Sequence, residues 1–480
     1  MSPSDRAQPA FAVAGKGPMM CVSRESACAR LAFTVVALTI LGLSLPRQTQ
    51  ARVLLIVVDG LDAREVTDDA TPTLARAWRE SRWCPGARSL ASMPTRTNSS
   101  HATLMTGVEP AAHGITGNAF WDPKARRVRK LGLATDLQTE TIFTVAHRAG
   151  RGLRTAAAVG KPKLGTMFSA DGARQLSPDE LWDGGAVSDS SKDEITGYAY
   201  DATTLAAAQS LVEHAAADFL FINLSDVDRV SHGFGPQSPQ AIETRRRTDA
   251  ALAAFFGWLA SRPEWSSTTV VITADHGFDT IANPALRFDD ILTDNDLRDL
   301  VTVGDGGAGH VYLRSPASPS RDASLLAAAR RLALAQPGIA EALYLHPNET
   351  DGGTSYSIAS VHPNWHLEHE RAGDLVLIAR PGYQIVDGSS EEARLIGNHG
   401  GPEERAVPAI VIGGAPIGPG DHCDQITAAD VGRTAQACLG LPEVERLEGR
   451  PIPRTDRGRV LAGLCPPASS AGNPESVTAP

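Results

Sequence analysis

"RVLLIVVDG", Arg52 to Gly60, decides the fold: a continuous apolar run that Asp59 and Gly60 stop. Apolar runs without polar alternation suit strands buried on both faces, as in parallel sheets covered by helices. The pattern returns in "TAAAVG" (Thr155 to Gly160), "DFLFINLSD" (Asp218 to Asp226), "TTVVITADHG" (Thr268 to Gly277), "DLVLIA" (Asp374 to Ala379) and "PAIVIGG" (Pro408 to Gly414). Helical patterns such as "TPTLARAWRE", "TTLAAAQSLVEHAAA" and "RRRTDAALAAFFGWLAS" lie between them. Strands alternating with helices predict an α/β fold with a mostly parallel central sheet, whose ligands sit beyond the carboxyl ends of the strands.

Around this rhythm the chain of 480 residues divides further. Residues 1–51 read as a signal peptide with an extended leader: "CARLAFTVVALTILGLSLPRQTQA" carries an Arg in front, an apolar run from Leu31 to Leu45, and small residues before a cleavage site after Ala51. Met19 or Met20 is an alternative start. The run is shorter than the ~20 residues a spanning helix needs, so a secreted or periplasmic protein without a stable membrane span is expected. Residues 52–452 form the predicted catalytic domain. Loop-rich stretches at about 120–201 and 282–373 are expected as cap insertions over the strand ends. Residues 453–480, rich in Pro, Ser and Ala, are expected to be disordered. Four cysteines lie beyond the leader, Cys84, Cys423, Cys438 and Cys465. They suit an oxidising compartment, and proximity favours Cys423 with Cys438 among three connectivities.

The formal net charge of −10 argues against a general nucleic-acid-binding surface. An anionic substrate needs local positive charge instead.

Carboxylates and imidazoles gather at the predicted strand ends. Asp59 closes the first strand, Asp228 and His232 follow "FLFINLS" in "SDVDRVSHGFGP", Asp275 and His276 close "VVITADHG", and His399 sits in "GNHGGP". Singly each is ordinary turn or cap chemistry. Together, at successive strand ends, they suit Zn²⁺ or a similar ion, and two three-ligand sets leave positions open for substrate. "PTRTNSSHATLMTG" supplies a nucleophile, Thr97, near a helix N-terminus where an anion is favoured. The alternative for Thr97 is a plain N-cap. A threonine hydroxyl becomes reactive when metal coordination lowers its pKa.

With these motifs in order, the sequence resembles the type I phosphodiesterase and nucleotide pyrophosphatase group of the alkaline phosphatase superfamily. The likeness runs from Asp59 to about Gly414 through "HATLMTG", "EPAAHGITGN", D-x-x-x-H-x-x-G-P, D-H-G and H-G. It implies an alkaline-phosphatase-like sandwich and a two-zinc hydrolase of phosphate esters that acts through a phosphoryl-threonine on Thr97. It also implies Asp228, His232 and His399 as ligands of one zinc, and Asp59, Asp275, His276 and Thr97 as ligands of the other. Asn118 matches the asparagine that holds a phosphoryl oxygen, helped by the backbone N–H following Thr97. Asp226 matches no ligand and is expected to support the site from outside. The partner implied is a small phosphorylated substrate.

Nucleotide-cleaving members place an aromatic residue after the nucleophile, whereas this chain has Asn98; Phe120, Trp121, Tyr198, Tyr200 or Phe278 could stack on a base from elsewhere. Thr followed by Asn resembles the phosphonoacetate hydrolases, which hold a substrate carboxylate with a lysine pair. Lys161 and Lys163 in "VGKPKLG" are either that pair or ordinary exposed lysines. A C–P bond hydrolase and a phosphomonoesterase are therefore runner-up activities. The alternative of another class is a non-catalytic secreted metal-binding protein, against which stands the complete set of site residues. "SMPTR" fits a short sulfatase pattern, but the spacing back from Thr106 and Gly107 lands on Thr97 rather than Ser92.

Overall fold

The computed structural model describes residues 51–170, 176–193, 196–387 and 391–465. The expected signal peptide lies outside the described residues except for Ala51. Six strands form the central sheet: β1 (Arg52–Val58), β2 (Thr155–Val159), β3 (Glu180–Asp183), β4 (Phe219–Leu224), β5 (Thr268–Thr273) and β6 (Ile410–Gly413). Their order is β6-β5-β1-β4-β2-β3. The first five run parallel, and β6 alone is antiparallel to its neighbour β5.

The eight helices that matter here are α1 (Pro72–Arg79), α2 (Thr97–Thr106), α3 (Ile142–Ala149), α4 (Pro162–Phe168), α5 (Asp201–His214), α6 (Asp226–Phe234), α7 (Pro239–Ala260) and α8 (Ala428–Cys438). Side chains alternate across β1. Val53, Leu55 and Val57 pack with Met105 of α2, Val145 of α3 and Val431 of α8. Leu54, Ile56 and Val58 pack with Leu74 of α1, Leu205 of α5 and Leu252 of α7. Two covered faces are why the run needs no polar alternation. Each fully buried aliphatic side chain contributes roughly 1.5–3 kcal/mol. Sequence also fixes helix starts: Ser238 accepts a hydrogen bond from the Ala241 N–H at the head of α7, and Thr427 and Asp430 form a reciprocal capping box at the head of α8.

A second, antiparallel sheet covers one side of the strand ends. It contains Leu300–Asp305, Ala308–Leu313, Leu375–Ala379 and Ile339–Tyr344 in that spatial order. The run "DLVLIA" therefore belongs to the cap rather than to the central sheet, and the second insertion extends past residue 373. Its apolar continuity has the same physical origin as that of β1. Leu375 and Leu377 face the helix Pro319–Leu334, while Val376 and Ile378 face Met93 and Trp365.

The structure corrects three further expectations. Residues 120–201 are not an insertion throughout, because β2 and β3 extend the central sheet through parallel pairing of Ala157 with both Phe221 and Leu181. The tail from 453 to 465 is packed: Asp456, Leu461 and Leu464 are buried, and Arg457 bridges Val108. The remainder of the expected disordered tail lies outside the described residues. The disulfides join Cys84 to Cys423 and Cys438 to Cys465. The loop carrying Cys423 lies against Trp83, whose carbonyl accepts from the Gly420 N–H, whereas Cys438 ends α8 beside the returning tail. Sequence proximity was thus a poor guide. Among the described residues no helix is long and apolar enough to cross a membrane.

Candidate active site

Four neighbouring strands deliver the site at their carboxyl ends. Asp59 follows β1, Lys161 follows β2, Asp228 and His232 lie on α6 after β4, and Asp275 and His276 follow β5. His399 arrives in the loop after the short strand Gly397–Asn398. Gly60 takes φ 78°, and a Cβ there would lie 2.6 Å from the Phe278 ring, so the chain can turn directly after Asp59 only because this residue is glycine.

The three histidines share one arrangement. His232 Nδ1 lies 3.0 Å from the Gly397 carbonyl oxygen, His276 Nδ1 3.0 Å from that of Gly277, and His399 Nδ1 2.7 Å from that of Thr95. A carbonyl only accepts, which assigns the proton to Nδ1 and leaves each Nε2 a lone pair. All three Nε2 atoms face Asp228 Oδ1, at 3.6 Å from His232, 3.9 Å from His276 and 3.8 Å from His399. Burial holds all three imidazoles below the ordinary histidine pKa, with His276 lowered to about 4. They are neutral donors of electron pairs. Asp228 Oδ1 is buried and receives no hydrogen bond, and the buried Asp275 Oδ2 lies 3.2 Å from His276 Nε2 and 3.3 Å from His101 Nδ1. Buried carboxylate oxygens facing imidazole lone pairs suit a divalent cation and little else.

Metal-competent donor atoms converge in three overlapping sets: Asp228, His232 and His399; Asp59, Asp228 and His276; and Asp59, Asp275 and His101. The first coincides with the set expected from sequence. The second expected set is brought together too, with Thr97 Oγ1 3.4 Å from His276 Nε2 and His276 Nε2 3.2 Å from Asp275 Oδ2.

His101 escaped the sequence reading, although it stands one helical turn after Thr97, where i and i+4 share a face. Its Nδ1 lies 2.8 Å from the Thr97 carbonyl oxygen, and its Nε2 accepts from Asn223 Nδ2 at 3.3 Å. Asn223 Nδ2 in turn donates to Asp59 Oδ2 at 2.9 Å. His101 thus holds Asn223 and Asp59 in place. Such partners behind the ligands set ligand orientation.

Lys161 was expected at the surface or on a substrate carboxylate. Instead its side chain is 2% exposed, with Nζ 2.6 Å from Asp59 Oδ1 and 2.7 Å from Asp228 Oδ2. Burial alone would lower its pKa, but Asp228 and Asp59 outweigh that and hold the ammonium above the ordinary lysine value. Burial alone would likewise raise Asp228, yet Lys161, His232 and His276 hold it far below the carboxylate range. Asp59 is raised, by burial and then by Asp275. Lys163, half-buried, is pushed down to about 8 by burial and by the charge of Lys161.

Thr97 is the first residue of α2, and Arg96 holds the N-cap position, so Thr97 is not the cap. The Asn98 N–H donates to Asn118 Oδ1 at 3.3 Å, which fixes the amide with Nδ2 on the other side. The Asn98 side chain donates to the Leu131 carbonyl at 2.5 Å, and its Oδ1 is buried without a partner. Arg96 locks this loop. It pairs with Asp305 of the cap at 2.9 Å and donates to Asn398 Oδ1 at 3.0 Å and the His399 carbonyl at 3.1 Å. Asp305 also accepts from the Asn118 N–H at 3.4 Å. Gly306 beside it must lack a Cβ, which would stand 2.0 Å from the His399 carbonyl oxygen. One ion pair therefore sets Thr97, Asn118 and His399 relative to one another.

Asp226 stays outside this group: it pairs with Arg229 at 3.2 Å, and its Oδ2 accepts from the Asp201 N–H at the head of α5. Of the possible stacking residues, Phe278 packs on the rings of His232, His276 and His399. Phe120 and Trp121 are buried under Arg129 and Arg314, and Tyr200 is covered by Arg229. Tyr198 is the one beside the site, 5.8 Å from Lys161 Nζ.

A sequence model described as type I phosphodiesterase / nucleotide pyrophosphatase matches residues 53–402. The chain belongs to this family. Among members, Venom phosphodiesterase 2 of Crotalus adamanteus is 24% identical over 200 residues, covering 41% of this chain and 23% of the relative. Human ectonucleotide pyrophosphatase/phosphodiesterase family member 1 is 23% identical over 188 residues, covering 39% and 19%. The matched region spans about a fifth of the length of these relatives. In fold, the chain is similar to murine ectonucleotide pyrophosphatase / phosphodiesterase 5, solved as an inactive variant with AMP, at a TM-score of 0.63 and 17% identity over 82% of this chain and 96% of the other. It is also similar to phosphonoacetate hydrolase of Sinorhizobium meliloti bound to phosphonoacetate, at a TM-score of 0.59 and 20% identity over 81% and 96%. The α/β architecture with a mostly parallel central sheet is that of these neighbours.

Proposed function

We propose that the protein is an exported, two-zinc hydrolase of phosphate esters that works through a phosphoryl-threonine on Thr97. The observation that carries the reading is the set of three imidazoles, each anchored through Nδ1 and turned with Nε2 toward the unpartnered Asp228 Oδ1. Asp228, His232 and His399 would hold one cation, and Asp59, Asp275, His276 and Thr97 the other. Such cations lower the pKa of a bound hydroxyl and neutralise charge that builds on phosphoryl oxygens.

The chain's own groups account for the remainder. Thr97, at the N-terminus of α2, gives up its hydroxyl proton and attacks phosphorus; its new O–P bond replaces the bond to one alkoxide, which leaves and takes up a proton. Water later cleaves the Thr97 O–P bond, releasing the phosphate monoester of a diester substrate and restoring the hydroxyl. Asn118 Nδ2 binds a phosphoryl oxygen beside the N-terminal end of α2, where the helix end favours negative charge. Lys161 compensates Asp59 and Asp228. The cystines Cys84–Cys423 and Cys438–Cys465 support export, since such bonds persist in oxidising compartments.

A second reading, cleavage of a small phosphonate that carries a carboxylate, is favoured by Lys163. This lysine lies in the first turn of α4, two residues after Lys161, and no aromatic residue directly follows Thr97. The test is turnover of bis(p-nitrophenyl) phosphate, p-nitrophenyl phosphate, a dinucleotide and phosphonoacetate by zinc-loaded and metal-stripped protein. Zinc-dependent cleavage of the diester that Thr97→Ala abolishes, with zinc still bound, is the expected result. Full activity of stripped protein or of the variant would overturn it.

A further inference from the structure

Beside the active site stands a hairpin of opposite charge to the rest of the chain. Its strands, Ala119–Asp122 and Arg127–Lys130, pair antiparallel directly after Asn118. Residues 119–133, "AFWDPKARRVRKLGL", hold five cations and one carboxylate in a chain of net charge −10. Asp122 is occupied: it caps the turn through the N–H groups of Lys124 and Ala125 and lies 3.5 Å from Arg129. Arg129 is occupied as well, on Asp136 at 2.6 Å and over the Phe120 ring. Lys124, Arg126, Arg127 and Lys130 remain, all exposed and without an ion pair among the described residues. Arg126 closes the turn at φ 51°, where glycine or asparagine would sit with less strain.

The base of the hairpin is stitched to the reacting centre. The Leu131 N–H donates to the Asn118 carbonyl at 2.9 Å, its own carbonyl accepts from Asn98, and Thr166 on α4 donates to the Gly132 carbonyl at 3.0 Å. Two aliphatic side chains of the same segment are exposed as well, Val128 at 41% and Leu133 at 52%. A soluble polyanion gains nothing from exposed aliphatics. An anionic lipid surface takes both, the cations at its headgroups and the aliphatics at the acyl boundary.

We propose that this hairpin docks the protein on an anionic lipid surface and so holds the mouth of the active site against it. Each Lys or Arg near such a surface strengthens binding about fivefold, so reversing four charges weakens it by on the order of a hundredfold or more. The experiment is co-sedimentation of purified full chain with vesicles of phosphatidylcholine alone or mixed with phosphatidylglycerol. Wild type should partition to the mixed vesicles and not to the neutral ones. K124E/R126E/R127E/K130E should lose that partition, V128S/L133S should weaken it about tenfold, and both should keep the wild-type melting temperature. Vesicle binding is read without catalysis, so it stands or falls apart from the proposed hydrolysis. No partition to mixed vesicles, equal partition to both kinds, or full partition of the charge-reversed chain would overturn the proposal. So would oligonucleotide binding by wild type and V128S/L133S alike with no vesicle binding, which would give the hairpin to a soluble polyanion.

Discussion

Two buried charge clusters share this active site and are built in opposite ways. At the strand ends, Asp59, Asp228 and Asp275 gather around one ammonium, that of Lys161, and Asp228 Oδ1 receives no hydrogen bond. Across the nucleophile loop, Arg96 meets Asp305, Asn398 and the His399 carbonyl, with one cation matched to one carboxylate. The first cluster gathers more carboxylates than cations and converges metal-competent donors; the second matches cation to carboxylate. Desolvating charge costs several kcal/mol per ion unless it is paired, so the open cluster is a place for ligand chemistry and the closed one a frame.

Breaking each cluster should therefore look different. The largest effect belongs to Asp228→Asn, because Asp228 is shared by two of the three donor sets. Zinc stoichiometry measured on the purified variant should fall, and diester cleavage should drop by about a thousandfold or more. Unchanged zinc content would show that the cluster is not a metal site. Next comes Asp305→Ala, which takes the carboxylate away from the buried Arg96 guanidinium and should cost about 3–5 kcal/mol in urea unfolding whether or not zinc is present. Where the variant stays folded, kcat should fall with little change in KM, since the pair sets Thr97 against Asn118 rather than binding substrate directly. Stability within 1 kcal/mol or so of wild type would deny the frame its role.

Lys161→Met sits between these in kind and below them in size. It should destabilise the metal-free protein by roughly 1–3 kcal/mol, because two carboxylates lose their ammonium, and zinc should erase most of that difference. Melting curves with and without zinc measure it. An equal deficit in both would make Lys161 part of the frame instead.

The same contrast explains what could be read from sequence. Asp59, Asp275, His276 and His399 are legible because each terminates an apolar run or sits in a glycine-bounded turn, and Asp228 because it follows the strand run ending at Leu224 within a few residues. His232 was legible from its i, i+4 spacing to Asp228. Arg96 and Asp305 were not, since 209 positions separate them and their pairing depends on how the cap sheet lands on the loop before α2. The burial of Lys161 is not legible because a lysine beside proline is ordinarily solvated, and only the sheet order β1-β4-β2 places it among the carboxylates that follow β1 and β4. "DLVLIA" was assigned to the wrong sheet for a related reason: burial on both faces produces the same run in a parallel sheet and in an antiparallel cap.

A third carboxylate cluster, Asp201 with Asp226, lies between the open and closed cases and yields the smallest effect. Asp201 accepts from the N–H groups of Ser225 and Asp226 and from the Thr248 hydroxyl, so it caps the start of the helix that carries Asp228 and His232. Burial, then the charge of Asp226, raises its pKa to about 7. A carboxyl whose folded value lies above its unfolded one stabilises fully below the unfolded value, and that contribution disappears as pH rises through the folded value. Wild type should therefore lose stability between about pH 4 and pH 7, by at most a few kcal/mol. Asp201→Asn carries no charge at any pH and keeps an oxygen for the two N–H groups, while its amide can donate to Thr248. It should flatten that slope and melt higher than wild type at about pH 8. If wild type and variant ran parallel across that window, the carboxylate would be ionised in the folded protein, and the backbone N–H groups would then outweigh burial at this cap.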